Sequence, residues 1–133
     1  MHKISIPEEI INACIKRRGK PHVYDTINTT KTALVVIDMQ NSWVAPGLSV
    51  LGIPEAETIV PNINSIGQAL RNAGGRVAWT QSTFDDEWTK NMYQGFCDEK
   101  VIAKMMSESR IGSFGFEIWK GMDVHEGDII SEK

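Results

Sequence analysis

The chain has 133 residues, the size of one domain, and its composition is that of a globular protein, with 41% hydrophobic and 23% charged residues. Its formal net charge of −3 gives no electrostatic basis for binding nucleic acid or an anionic membrane. No window is long and apolar enough for a transmembrane helix, and the N-terminus lacks the apolar core of a signal peptide. We therefore expect neither a nucleic-acid nor a membrane partner.

The first thirty residues are predicted to form a helical arm. Pro7 begins a helix, the basic run Lys16–Arg18 is typical of its solvated end, and Gly19 terminates it. Its apolar stripe consists of Ile10, Ile11, Cys14 and Ile15. The stripe indicates that the arm packs on another surface, which favours a homo-oligomer. We divide the chain into this arm, residues 1–30, and the N-terminal part of one domain, residues 31–133, and we expect the C-terminal part of that domain to be absent from this chain.

A strand, a helix and a second strand follow the arm. The apolar run Ala33–Ile37 in "TALVVIDMQN" is typical of a strand that is buried on both faces of a parallel sheet. Thr58 is the predicted N-cap of the helix, and "RVAWTQ" is the second strand, with Val77 and Trp79 on one face. The predicted apolar face of the helix consists of Ile59, Ile63, Ile66, Leu70 and Ala73. A strand, crossover helix and strand in this order predict a parallel βαβ unit.

The sequence after residue 81 predicts a third strand at the end of the chain. Residues 82–126 have no clean period, although residues 99–106 favour a helix. Gly127 and Asp128 form a turn before a strand from Ile129 to Ser131. The fold class is therefore α/β, with at least three parallel strands.

Three polar residues follow predicted strands: Asp38, Gln81 and Lys133. Ligands bind at the carboxyl ends of the strands in open α/β sheets. If one strand intervenes, the backbones at Asp38 and Lys133 lie roughly 10 Å apart, which a lysine side chain can span. The pattern thus predicts a carboxylate–ammonium pair in a cleft. A capping Asp and a solvated Lys are the alternative interpretation.

The sequence segments around these residues resemble those of a known family. "TALVVIDMQNSW", "IVPNINSIGQALRNAGGRVAWTQ" and "GDIISEK" follow one another as in the isochorismatase-like cysteine hydrolases, and the arm sequence "RRGKPHVYD" is similar to a subgroup of them. The resemblance covers residue 31 to the end. It implies a Rossmann-like three-layer α/β/α sandwich with a parallel sheet, of which this chain supplies about three strands.

The resemblance also implies a catalytic triad of Asp, Lys and Cys. Asp38 would be the general base, and Lys133 would help to hold the nucleophile as a thiolate. Members hydrolyse amides, ureido compounds or a vinyl ether. For this chain we expect cleavage of a C–N amide or ureido bond in a small-molecule substrate.

The chain departs from the family in its cysteines. The family's nucleophile lies in a "TNVC"-like turn well after the triad Lys, and neither Cys14 nor Cys97 matches that motif. Because the two cysteines are unclustered, we interpret them as reduced thiols of a cytoplasmic protein. We expect the nucleophilic Cys on a second polypeptide or segment, so that this chain alone is inactive.

We predict no metal site and no cofactor. The nicotinamidase branch of the family carries an Asp-x-His type cluster after the second strand. The corresponding region here, "STFDDEWTK", contains none of the three histidines, and its carboxylates Asp85 and Asp86 are interpreted as surface acids.

Five residues are candidates for contacting the substrate: Gln40, Asn41, Trp43, Gln81 and Trp88. Trp43 has the strongest claim because it lies in the loop that follows Asp38. Gln40 and Asn41 are as well explained by loop capping, and the aromatic residues by core packing or an oligomer interface.

Several alternatives stay open. A sheet of three strands would leave Leu34–Ile37 as an exposed edge, so we expect the chain to be part of a larger domain. It could be one polypeptide of a nicked or split hydrolase, a truncated form of a longer protein, or a half-protein that dimerises. A non-catalytic scaffold or assembly chain without a nucleophile is the alternative function. A nucleotide-binding domain is disfavoured because "DMQNSWVAPG" is not a Gly-rich phosphate loop.

Overall fold

A computed structural model describes residues 5–132 of the chain. Its three strands form one open parallel sheet in the order β1 (Ala33–Ile37), β2 (Arg76–Gln81) and β3 (Ile129–Glu132). The helices of these residues are α1 (Glu8–Arg18), α2 (Asn41–Val44), α3 (Ala56–Asn72), α4 (Glu87–Tyr93) and α5 (Glu99–Ser109), with a short 3-10 turn at Thr29–Lys31. The predicted α/β class is confirmed.

The sheet order sets the distance between the ends of β1 and β3. Ile37 pairs with Thr80 of β2, and Gln81 of β2 pairs with Glu132 of β3. One strand therefore separates β1 from β3, as predicted. The helix α3 makes the crossover from β1 to β2, which is what allows the two strands to run parallel.

The core lies between α3 and one face of the sheet. Val77 and Trp79 of β2 are 1% and 2% exposed, which confirms that they share a buried face. The whole core cluster consists of Val36, Val44, Ala56, Val60, Val77, Trp79 and Met122. Burying these apolar side chains is the main contribution to the stability of this part of the molecule.

The predicted apolar face of α3 is rotated relative to the observed one. Ile59 and Ile66 are 46% and 55% exposed, whereas Val60 and Gly67 are buried against the sheet. A Cβ at Gly67 would lie 3.7 Å from Val77, an ordinary van der Waals distance, so this side of the helix packs on the sheet. The helix begins at Ala56 and not at the predicted cap Thr58, whose hydroxyl donates instead to a carbonyl of the preceding turn.

The expectation that β1 is buried on both faces is wrong for the described residues. Val36 is buried, but its neighbours Val35 and Ile37 are 52% and 59% exposed. Side chains alternate across a strand, and α3 covers only the Val36 face. β1 also forms an edge of the described sheet, as expected for a three-stranded arrangement.

The region without a clean period contains two short helices with aspartate caps. Asp86 accepts a hydrogen bond from the backbone N–H of Thr89 at the start of α4, and Asp98 caps α5 in the same way. The helix predicted for residues 99–106 is confirmed by α5. The two aspartates are a signal that could have located both helix starts, because a capping carboxylate pairs with otherwise unpaired N–H groups of the first turn. The interpretation of Asp86 as only a surface acid misses this role.

The arm helix forms as predicted and ends at Gly19, which adopts a φ of +76°. None of its residues is buried within residues 5–132. Ile10 and Ile11 of the predicted stripe are 52% and 41% exposed, so the stripe contacts no described surface extensively.

Candidate active site

Asp38 is held in an unusual backbone conformation at the carboxyl end of β1. Its φ is +58°, the only positive value at a non-glycine residue within residues 5–132. Asp tolerates this left-handed region better than most residues, and such conformations concentrate at functional sites. The backbone N–H of Asp38 donates to the carbonyl of Thr80 at 3.1 Å, and the Thr80 hydroxyl donates to Asp38 Oδ1 at 3.3 Å. Both bonds tie Asp38 to the end of β2.

Asp38 lines a cavity of about 240 Å³. The lining residues are Ile37, Asp38, Met39, Trp43, Ile53 and Ala56. Asp38 is the one ionisable residue among them. A carboxylate beside a largely apolar wall can serve as a base towards a neutral group that enters the cavity.

Trp43 lies in the wall of this cavity, as its place after Asp38 predicted. Its ring packs edge to face on Phe84, with the ring centroids 6.0 Å apart. Phe84 packs in turn on Tyr93 of α4, at 5.8 Å. The indole Nε1 of Trp43 is buried and makes no hydrogen bond within residues 5–132. Within the described residues, the indole N–H is therefore a buried donor without a partner.

Gln40 is fully buried, and its amide is occupied by the backbone. Nε2 donates to the carbonyls of Ser82 and Phe116 at 3.0 and 2.8 Å, and Oε1 accepts from the N–H of Ser82 at 2.8 Å. These bonds use both amide hydrogens and the oxygen. The geometry thus favours the loop-holding alternative for Gln40 over contact with a substrate.

Asn41 and Gln81 hold the same loop. Asn41 Nδ2 donates to the carbonyl of Phe114 at 2.7 Å, and Gln81 Nε2 donates to that of Phe116 at 2.8 Å. They are 2% and 8% exposed. Three amide side chains predicted at the site therefore converge on the segment of residues 113–119, a feature that sequence reasoning missed.

The other two predicted site residues stand apart from this group. Trp88 lies on α4, is 72% exposed and does not line the Asp38 cavity. Lys133 lies outside the described residues. A substrate contact by Trp88 and the Asp38–Lys133 pair both stay predictions.

A second polar network at the amino end of the sheet was also missed. The Arg71 guanidinium donates to both carboxylate oxygens of Asp128, which also accepts from Trp79 Nε1 at 2.9 Å and from the N–H of His125 at 3.0 Å. Burial raises the pKa of Asp128, but the Arg71, His125 and Trp79 hydrogen bonds outweigh this effect and lower it to about 2. Nothing in the sequence spacing pairs Arg71 with Asp128, which lie 57 residues apart.

The described part of the chain has no candidate metal site, no cysteine pair and no helix suited to span a membrane. Residues 5–132 contain no group of three or more His, Cys, Asp or Glu side chains placed to hold a metal ion. Cys14 lies in α1 and Cys97 in the turn after α4; both are free thiols, and neither lines the Asp38 cavity. None of the helices described is long and apolar enough to span a membrane.

The sequence matches a family model over most of its length. The model is that of the isochorismatase domain, and the match runs from residue 32 to residue 133. The chain belongs to the isochorismatase domain family. The expected family is thereby confirmed.

Solved structures of several hydrolases share the fold. A cysteine hydrolase from Pseudomonas syringae pv. phaseolicola 1448A superposes with a TM-score of 0.67 at 24% identity, over 86% of this chain and 51% of that chain. A pyrazinamidase of Pyrococcus horikoshii in complex with zinc gives 0.56 at 22%, over 76% and 50%. An N-carbamoylsarcosine amidase from Thermoplasma acidophilum gives 0.54 at 22%, over 76% and 50%. The chain thus spans about half the length of these structures.

Proposed function

We propose that this chain supplies the Asp38-bearing part of a cysteine hydrolase that cleaves a C–N amide or ureido bond of a small molecule. The observation that carries the proposal is the placement of Asp38. Its backbone is held in the left-handed region at the carboxyl end of β1, and the residue lines a largely apolar cavity. The names of the structural neighbours, which include a cysteine hydrolase and an N-carbamoylsarcosine amidase, support the same class of reaction.

In the proposed mechanism Asp38 takes the proton from a cysteine thiol. The thiolate attacks the carbonyl carbon of the substrate and forms a C–S bond. The C–N bond then breaks, and the departing nitrogen takes the proton from Asp38. Water attacks the thioester with Asp38 again acting as base, which releases the acid and restores the thiol. Lys133 would favour the thiolate form of the nucleophile by its charge.

The nucleophile in this proposal comes from a segment other than residues 1–133. Cys14 lies in a helix that buries none of its described residues, and the backbone N–H of Cys97 donates to Tyr93 in a turn after α4. Cys97 directly precedes the N-cap of α5, but neither Cys97 nor Cys14 lines the cavity that Asp38 lines. The chain by itself is accordingly inactive in this proposal.

The test uses the protein with its complete hydrolase domain and a panel of primary amides and ureido compounds. Asp38→Asn keeps the size of the side chain but removes the base, so we expect kcat to fall by about 10²- to 10⁴-fold. Asp85→Asn, at an exposed acid that does not line the cavity, is the matched control and should keep wild-type kcat. An Asp38→Asn variant with the activity of that control would contradict the proposal.

Thiol alkylation tests the nucleophile separately. Complete modification of the cysteines should abolish hydrolysis, and activity that survives it would rule out a cysteine mechanism. If the complete protein turns over no member of the panel, the non-catalytic scaffold becomes the better reading of the chain.

A further inference from the structure

The segment after Asp38 is fixed along its backbone by the segment of residues 113–119. The carbonyl of Met39 accepts from the N–H of Trp119 at 2.8 Å, and the N–H of Asn41 donates to the carbonyl of Glu117 at 2.9 Å. Gln40 pairs with Ile118 in an isolated antiparallel bridge between these bonds. The backbone that leaves Asp38 is therefore docked on a loop far away in sequence.

The side chain of Gln40 adds a third segment to this pair. It bonds to both backbone groups of Ser82, directly after β2, and to the carbonyl of Phe116. Its own N–H donates to the carbonyl of Asp38 at 2.8 Å. One buried amide thus joins the ends of β1 and β2 to the 113–119 loop, two residues from the carboxylate.

We propose that Gln40 is a positioning residue that holds the Asp38 carboxylate at its place in the cavity without touching the substrate. The inference rests on the proposed function. Asp38 occupies a sparsely populated backbone region, which persists only where the surroundings over-determine it. The Gln40 amide and the bridge to Ile118 supply that constraint on one side, and Thr80 supplies it on the other.

The chemistry of the amide explains why no other side chain would serve equally. The site requires two donors, for the carbonyls of Ser82 and Phe116, and one acceptor, for the N–H of Ser82. Met has the length of Gln but makes none of these bonds. It leaves the carbonyl and the N–H of Ser82 unpaired and buried, while the carbonyl of Phe116 keeps its bond from Gln81 Nε2. Glu keeps the acceptor and, because burial raises its pKa and keeps it neutral, one donor. The series Gln, Glu, Met therefore removes zero, one and all of the bonds.

The experiment compares Gln40→Met and Gln40→Glu with a matched control in the complete hydrolase. Asn64 on α3 is also an amide that bridges two backbone groups, donating to Gly121 and accepting from Asp123 at 2.9 and 3.0 Å. Asn64→Leu removes these bonds without touching the backbone that follows Asp38. It should lower Tm by a few degrees and leave kcat unchanged.

For Gln40→Met we expect Tm to fall by about 5 to 10 °C and kcat by about 100-fold, since misplacement by roughly 1 Å has that effect on a rate. KM should stay within about twofold, because the buried amide makes no substrate contact. The acid limb of the kcat/KM profile should also move, since the surroundings of Asp38 change. Gln40→Glu should lose only roughly 10-fold in kcat.

Two outcomes would overturn the inference. A folded Gln40→Met with the kcat and acid limb of Asn64→Leu would make Gln40 merely structural, and a raised KM with unchanged kcat would make it a substrate contact. If Gln40→Met does not fold, Gln40→Glu is judged by the same criteria. Asp38→Asn is measured alongside: full activity there overturns the proposed function, and the role of Gln40 falls with it.

Discussion

The two ends of the sheet are held by polar networks of different chemistry. At the carboxyl end, the buried amides of Gln40 and Gln81 bond to backbone carbonyls, and no charge takes part in those bonds. At the amino end, Arg71 and Asp128 form an ion pair that Trp79 supports from the strand β2. Each network joins segments that are more than thirty residues apart in the chain.

The difference shows that the two ends depend differently on pH. The amide–carbonyl bonds at the carboxyl end carry no charge, so their contribution to stability does not require an ionised group. The pair at the amino end requires the ionised carboxylate of Asp128, and it fastens α3 to the turn before β3.

The largest expected effect tests the ionic end. Arg71→Met leaves the Asp128 carboxylate, 5% exposed, without its cation, so we expect the free energy of unfolding to fall by about 3 kcal/mol. The measurement is urea denaturation of the complete domain. Lys104→Met is the control, because Lys104 is 52% exposed and its pair with Glu108 is worth at most about 0.5 kcal/mol. Equal losses in both variants would contradict the special role of the buried pair.

The acid dependence of stability separates the two ends directly. The pKa of Asp128 is about 2 in the folded protein, against an ordinary value of 3.8. Its charge therefore contributes about 2 kcal/mol to the free energy of unfolding. This contribution is complete above pH 3.8 and is lost as the pH falls towards about 2. The difference in unfolding free energy between wild type and Asp128→Asn should shrink over that range. The difference between wild type and Gln40→Met should stay flat, and a matching slope there would break the contrast.

A smaller effect is expected where β2 supports the carboxylate. Thr80→Val removes the hydroxyl that donates to Asp38 Oδ1 at 3.3 Å but keeps the shape of the side chain. We expect kcat/KM of the complete hydrolase to fall about 3- to 10-fold, the effect of one hydrogen bond of about 1 kcal/mol. Thr32→Val, whose hydroxyl donates to Asn28 outside the site, should leave kcat/KM unchanged. A similar loss of kcat/KM in both variants would show that the Thr80 hydroxyl does not support Asp38.

The smallest effect is expected in the arm, which lies outside both networks. Ile10 is 52% exposed, so Ile10→Ser should change the free energy of unfolding by no more than about 0.5 kcal/mol. Val77→Ala in the core, at 1% exposure, is the contrasting variant and should cost about 2 kcal/mol. Analytical ultracentrifugation of Ile10→Ser tests the expected oligomer, since an arm that packs on a second copy would weaken assembly without changing the fold.

Local sequence patterns were sufficient to predict the helices and strands of the fold, but not which face of each element is buried. The apolar runs around Val36 and Val77 predicted two neighbouring strands, since strand formation depends on residues close in sequence. The buried face of α3 was predicted only in part. Ile63 packs against the core as predicted, but Val60 is buried and Ile59 is exposed, because the two are equally apolar and only packing against the sheet decides between them.

The residues of the candidate site also divide into those whose position the sequence predicted and those whose role it did not. Asp38 and Trp43 were predictable, because the change from an apolar run to a carboxylate marks a strand end and the loop after it lies at the same edge. The roles of Gln40 and Asn41 were not, because a buried amide looks the same in sequence whether it faces a substrate or a carbonyl.

The sequence by itself determined the family, the α/β class and the position of Asp38 at a strand end, all of which depend on motifs or on residues a few positions apart. Only the tertiary structure decided that Gln40 serves the backbone and that Arg71 pairs with Asp128. The physical reason is that hydrogen bonds and ion pairs depend on distances of about 3 Å, which folding sets between segments that no sequence period connects.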